Sequence, residues 1–145
     1  MSSQRHLARI AAMQTLYSYL ERDSRLDLDA AFKFVLAELP QTLKQEDFAR
    51  SIFDGAISQK TKLLAEIEKF STEHSLKKLD NLSLAILLIG AWELLFASEK
   101  TPLEIVINEA IELAKEFGKE TSAPLINAIL SKIANQDKDN EKNNL

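Results

Sequence analysis

Apolar residues recur along most of this chain at intervals of three and four, which places them on one face of an α-helix. The pattern predicts a first helix from about Ser3 to Glu21. A second helix is predicted from about Leu28 to Leu39, and Pro40 ends it because proline cannot continue a helical hydrogen-bond ladder. A third, longer helix is predicted from about Lys44 to Phe70. Gly55 interrupts its pattern and indicates either close packing or a kink.

The second half of the chain begins with a nearly continuous apolar run, residues 82–97. A membrane span needs about 20 apolar residues, and this run is shorter and contains Glu93. It therefore predicts a helix that is buried on most sides of a helical bundle.

Two further helices are predicted from their end signals. Thr101, Pro102 and Glu104 have the spacing of a capping box with proline in the first turn. This helix is expected to end at Gly118, a residue type that tolerates the left-handed conformation. Ser122 is expected to cap the last helix.

These elements predict an all-α fold of six to seven helices in one compact domain, residues 1–135. The polar stretch STEHSLKKLDN divides it into an N-terminal subregion, about 1–75, and a C-terminal subregion, about 76–135. Residues 136–145 are predicted to form a polar, mobile tail. The 3 glycines and 3 prolines of the chain suit long helices better than a turn-rich β protein.

The composition argues against most catalytic chemistry. The chain has no cysteine and only 2 histidines, so we expect neither a disulfide nor a metal site, and no cofactor. No phosphate-binding glycine loop or serine nucleophile motif occurs. Glu109 and Glu112 lie on adjacent helical turns, but we interpret them as a solvated surface and not as a catalytic pair. The chain is not expected to be an enzyme.

The charge distribution is more informative than the net charge of −4. Residues 1–20 contain Arg5 and Arg9 but no acidic residue. A locally basic helix of this kind can contact a phosphate backbone, although two arginines on a solvated face are also ordinary. The N-terminus has no continuous apolar segment typical of a signal peptide, which favours a cytoplasmic protein.

Three blocks, in this order, resemble the NusB family. The first is ARIAAMQTLY, residues 8–17, and the second is AILLIGAWELLF, residues 85–96. The third is TPLEIVINEAIELAKEFG followed by TSAPLINAILSKI, residues 101–133. Together they span about 125 residues, and INEAIELAKEFG is the most specific part.

The resemblance implies an all-helical transcription antitermination factor. Such a factor binds the boxA segment of nascent ribosomal RNA leader transcripts together with NusE, a small-subunit ribosomal protein. The pair joins an elongating RNA polymerase complex. No membrane partner is implied, and the chain alone is expected to be a monomer or a homodimer.

The resemblance also assigns RNA binding to residues of the first and last helices. Arg5 and Arg9 match an arginine-rich motif that would neutralise phosphates. The full set of residues expected to bind RNA is Arg5, His6, Arg9, Gln14, Tyr17, Ser122 and Asn127. Tyr17 would stack or pack at the edge of the RNA. By its local sequence, Asn127 is equally consistent with a hydrogen-bonded structural amide.

The chain departs from the family pattern mainly at the positions presumed to face RNA. His6 and Leu7 stand where arginines are usual, Leu88 where a basic residue is common, and Leu125 where an aromatic residue is expected. These changes remove charge and stacking surface. A second interpretation therefore stays open: an acidic helical adaptor, or a homodimer, in which RNA binding is weakened or lost.

Overall fold

The structure is a computed structural model that describes residues 3–22, 25–71, 79–119 and 121–143, with side chains as far as residue 136. Over these ranges it contains seven helices and no strand, which confirms the predicted all-α fold. The helices are α1 Gln4–Glu21, α2 Leu28–Glu38, α3 Glu46–Ser58, α4 Lys60–Lys69, α5 Asn81–Leu95, α6 Leu103–Phe117 and α7 Ser122–Asn143. The predicted boundary between two subregions falls largely on residues 72–78, outside the described residues, and stays a prediction.

Side-chain caps fix where three of the helices begin. The Ser3 hydroxyl accepts the His6 backbone N–H at 3.0 Å at the start of α1. Asp27 accepts the backbone N–H groups of Asp29 and Ala30 at the start of α2. Asp80 accepts the backbone N–H of residue 83 at 2.7 Å before α5. Each cap satisfies a donor that would otherwise lack a partner within the helix.

The end of α2 follows from the proline that comes next in the chain. Leu39 is extended, with φ −68° and ψ 146°, and it precedes Pro40. Steric contact with the proline ring disfavours the helical conformation in the preceding residue. The helix therefore stops at Glu38, one residue earlier than predicted.

The single long helix predicted for residues 44–70 is wrong. Gln59 leaves the helical conformation, with φ −105° and ψ 14°, and separates α3 from α4. The break lets the two halves pack in different places. Helix α3 lies mainly against α1 and α5, whereas α4 lies against α5 and α7. The apolar face of one continuous helix would not contact both sets of neighbouring helices.

Helix α5 is the centre of the core, as the apolar run predicted. It packs against α1, α3, α4, α6 and α7. Its buried residues are Ser83, Ala85, Ile86, Leu87, Leu88, Ile89, Gly90, Ala91, Glu93 and Leu94. No helix within the described ranges is long and apolar enough to cross a membrane.

Gly55 marks close packing and not a kink, because α3 continues through it to Ser58. A Cβ atom built on Gly55 would lie 2.2 Å from the indole ring of Trp92. No side chain fits at this distance, so the glycine allows the backbone of α3 to approach α5. The block AILLIGAWELLF, which contains Trp92, therefore packs against Gly55 of α3, far away in the sequence.

The predicted caps of α6 are partly wrong. The helix begins at Leu103, its N-cap is Pro102, and no side chain caps it, so Thr101 does not have the predicted role. Gly118 ends the helix but has φ −101°, not the left-handed conformation. A Cβ there would lie 2.8 Å from the carbonyl oxygen of Ala114, so close backbone approach explains the glycine.

The last helix also differs from its prediction. Ser122 is its first helical residue and not its N-cap, and the backbone stays helical to Asn143. The predicted tail at 136–145 thus overlaps the end of α7, and its mobility stays a prediction.

Candidate functional site

A buried ion pair joins the predicted basic helix to the central helix. The Arg9 guanidinium of α1 donates from Nε to Glu93 Oε2 at 2.9 Å and from Nη2 to Glu93 Oε1 at 2.8 Å. Arg9 is 3% exposed and Glu93 is 4% exposed. A buried charge is tolerated only when it is paired and hydrogen-bonded. The bidentate geometry meets that condition and fixes α1 on α5.

Arg9 stays protonated in this environment. Burial works to lower the pKa of Arg9, but the hydrogen bonds and charge of Glu93, with the charge of Glu109, outweigh it. The net result is a pKa above the ordinary value of arginine. A direct contact between Arg9 and an RNA phosphate would require this pair to be broken.

A second ionic contact joins α1 to α6. His6 Nδ1 lies 2.6 Å from Glu109 Oε2, and His6 Nε2 lies 3.5 Å from Glu116 Oε2. Glu109 Oε2 is also 3.9 Å from Nη1 of Arg9. The interpretation of Glu109 as a solvated residue is therefore wrong: it is largely covered and holds α1 against α6, whereas Glu112 is exposed.

Arg5 is the basic residue of α1 that reaches solvent. Its guanidinium carbon lies 3.9 Å from the centre of the Phe48 ring, and Nη2 lies 3.6 Å from Glu99 Oε2. The side chains of Arg5 and Glu99 are 42% and 88% exposed. An exposed pair of this kind contributes little and exchanges readily with other anions.

The remaining predicted residues differ in accessibility. Gln14 is half-buried, Tyr17 is 36% exposed and Asn127 is exposed. The Asn127 amide oxygen accepts the Ser131 hydroxyl at 3.1 Å. Ser122 is buried, and its hydroxyl accepts the Ser83 hydroxyl at 3.0 Å, which joins α7 to α5.

The structure thus brings three of the seven predicted residues into one cluster, Arg5, His6 and Arg9. Within the described part of the chain, no hydrogen bond or ion pair connects this cluster to Ser122 or Asn127. Glu93 and Glu109 were missed as members of the cluster. The signal for Glu93 was available, because a single carboxylate inside an apolar helix needs a cationic partner.

The His6 contact predicts a pH-dependent stability. Burial works to lower the pKa of His6, but the hydrogen bond and charge of Glu109, with those of Glu116, raise it above the ordinary value. A raised folded-state pKa gives stability that is present below the unfolded pKa and is lost as pH rises through the folded pKa. Arg9, which faces Glu109, stays charged throughout.

The test compares urea unfolding of the wild type and His6→Gln at about pH 5.5 and about pH 8.5, on either side of the histidine range. We expect the stability advantage of the wild type to be larger at the lower pH. An advantage that is equal at both values, or larger at the higher pH, contradicts the assigned contact.

The chain is similar to proteins of a single family over nearly its whole length. A family model described as the NusB family matches residues 6–135. The chain is 40% identical over 132 residues to the transcription antitermination protein NusB of Sulfurovum sp. (strain NBC37-1). That match covers 89% of this chain and 96% of the relative.

Solved structures show the same fold. NusB of T. maritima superposes with a TM-score of 0.79 at 30% identity and covers 93% of each chain. A NusB chain in a crystal structure of the antitermination factors NusB and NusE with double-stranded RNA superposes with a TM-score of 0.79 at 26% identity. It covers 94% of this chain and 99% of its own length.

Proposed function

Because the chain belongs to the NusB family, we propose that it is a transcription antitermination factor that binds RNA. The expected ligand is the boxA segment of ribosomal RNA leader transcripts, bound together with NusE within an RNA polymerase elongation complex. The observation that carries the proposal is the agreement, over 94% of this chain, with a NusB protein solved in complex with NusE and RNA. We further propose that the protein acts in the cytoplasm, and by binding rather than by catalysis.

We propose that the RNA-binding residues divide into two groups by accessibility. Arg5, whose side chain is 42% exposed, neutralises a phosphate. Tyr17 and Asn127 are exposed and available for stacking and hydrogen bonding, and Gln14 is partly accessible. His6 is intermediate in accessibility, because Glu109 holds its ring.

Arg9 and Ser122 support the site from the interior. Arg9 is bonded to Glu93, and Ser122 is bonded to Ser83. We propose that both act on RNA binding through the position of α1 and of the start of α7. Their substitution is then expected to change stability more than the number of phosphate contacts.

The proposal is tested with a fluorescently labelled single strand that contains boxA. Its anisotropy is titrated with this chain alone and with an equimolar complex of the chain and NusE, at low and moderate salt. We expect weak binding by the chain alone and tighter binding by the complex, with affinity that falls as salt rises. A scrambled strand of equal length is the control, and absence of binding under all conditions contradicts the proposal.

The adaptor is the second candidate function, and one observation favours it. The three basic groups near the start of α1 all have carboxylate neighbours: Arg5 has Glu99, His6 has Glu109 and Arg9 has Glu93. An adaptor predicts a normal complex with NusE that adds no RNA affinity. Gel filtration of the mixture, beside the anisotropy titration, separates the two functions and also reports a homodimer.

A further inference from the structure

A small cavity opens between α3 and the end of α5, beside the ionic cluster. Its volume is about 270 Å³, and the rings of Phe48, Trp92 and Phe96 form its apolar walls. Sites for small organic ligands usually have about 300–1,000 Å³. This cavity is thus at or below the lower end of that range and suits a single side chain better than a metabolite.

The polar part of the cavity is acidic. Glu93 and Glu99 line it, together with two serines, and none of the described residues in the lining is basic. Glu93 is neutralised by Arg9, but Glu99 is 88% exposed, and its cationic neighbour among the described residues is the Arg5 guanidinium at 3.6 Å. The cavity also lies at the C-terminal end of α5, where the helix dipole is negative. These features attract a cation.

The rim of the cavity already accommodates a guanidinium group. Arg5 stacks on Phe48 at 3.9 Å and lies 3.6 Å from Glu99, and both of these residues line the cavity. Stacking of a cation on an aromatic face together with a carboxylate contact is the usual environment of an arginine at a protein interface. The position of Arg5 therefore indicates that this surface can bind a guanidinium group.

We propose that this cavity is a docking site for an arginine side chain of a protein partner. The incoming guanidinium stacks against the aromatic walls, of which Phe96 is the exposed ring, and pairs with Glu99, in competition with Arg5. Three aromatic walls and a carboxylate favour this occupant over a nucleotide, because the carboxylates repel a phosphate group. The site shares Arg5 at its rim with the proposed RNA function, but it is tested without RNA, so either proposal can fail alone.

The test uses Trp92, which is the only tryptophan of the chain and lines the cavity. Its fluorescence is followed during titration with N-acetyl-argininamide, with the neutral isostere N-acetyl-citrullinamide, and with uridine monophosphate. We expect saturable quenching by the arginine compound at about millimolar concentration, and weaker or no quenching by the other two.

Two variants make the test specific. Glu99→Gln is expected to weaken binding of the arginine compound about two- to fivefold, since it removes an exposed charge. Glu104→Gln, an exposed residue of α6 outside the cavity, is the matched control and should leave it unchanged. Arg5→Ala is expected to tighten binding by a similar factor because it removes the competing guanidinium.

Several outcomes overturn the proposal. These are equal quenching by the citrulline compound, preference for uridine monophosphate, no saturable quenching by the arginine compound, or equal effects of Glu99→Gln and Glu104→Gln. Preference for uridine monophosphate would assign the cavity to a nucleotide instead.

Discussion

Replacement of Arg9 by methionine is expected to lower the free energy of unfolding by about 3–5 kcal/mol. Methionine retains most of the apolar contact area, but it leaves the Glu93 carboxylate buried at 4% exposure without its two hydrogen bonds. An uncompensated buried charge is among the costliest defects a single substitution can create. Urea denaturation at constant pH measures the effect, provided the transition is two-state.

Two further variants identify the cause of that loss. Lys33→Met removes an exposed partner of Asp29 and should lower the stability much less than Arg9→Met does. The double variant Arg9→Met with Glu93→Leu removes both charges and should recover a large part of the lost stability. A double variant that is as unstable as the sum of the single variants would show that the pair is not coupled.

Replacement of Gly55 by alanine is expected to lower the free energy of unfolding by about 2–3 kcal/mol. In an exposed helix this change usually stabilises by about 0.5–1 kcal/mol. Here the new methyl group would lie 2.2 Å from the Trp92 ring, so either the ring or the backbone of α3 must shift. Thermal unfolding by circular dichroism would show a lower Tm than that of the wild type.

Gly90→Ala is the matched comparison for Gly55→Ala. Its methyl group would meet the flexible end of Leu130 at 2.9 Å, which can rotate away, so the loss should be smaller. Trp92→Leu removes the obstacle, and Gly55→Ala should then cost less in that background than in the wild type. Equal costs in both backgrounds would mean that the contact with Trp92 is not the reason for the glycine.

Most of the fold could be predicted because local patterns determine it. The length of the apolar run around Leu88 and the glutamate inside it favoured a buried helix over a membrane span, and Pro40 marked the end of α2. The break at Gln59 could not be predicted, because the apolar spacing continues through it. It is explained by the different partners of α3 and α4, which a sequence pattern does not contain. Tertiary packing overrides local periodicity at such points.

The site was less predictable than the fold, for a related reason. Helical periodicity indicates which residues share a face, but not which faces meet. Arg9 and Glu93 are separated by 84 positions, and His6 and Glu109 by 103. Family resemblance predicted RNA-binding residues in α1 and α7, whereas only the three-dimensional arrangement distinguishes the buried Arg9 from the accessible Arg5.

The salt dependence of RNA binding shows whether Arg5, the exposed basic residue of α1, contacts an RNA phosphate. The affinity of the complex with NusE for a boxA strand is measured over a series of salt concentrations, for the wild type and for Arg5→Ala. We predict weaker binding by the variant and a slope of log K against log salt that is shallower by about 0.7, the value for one phosphate contact on a single strand. Identical slopes and affinities for the two proteins, or no RNA binding by the wild type at any salt concentration, would show that Arg5 does not bind RNA phosphate.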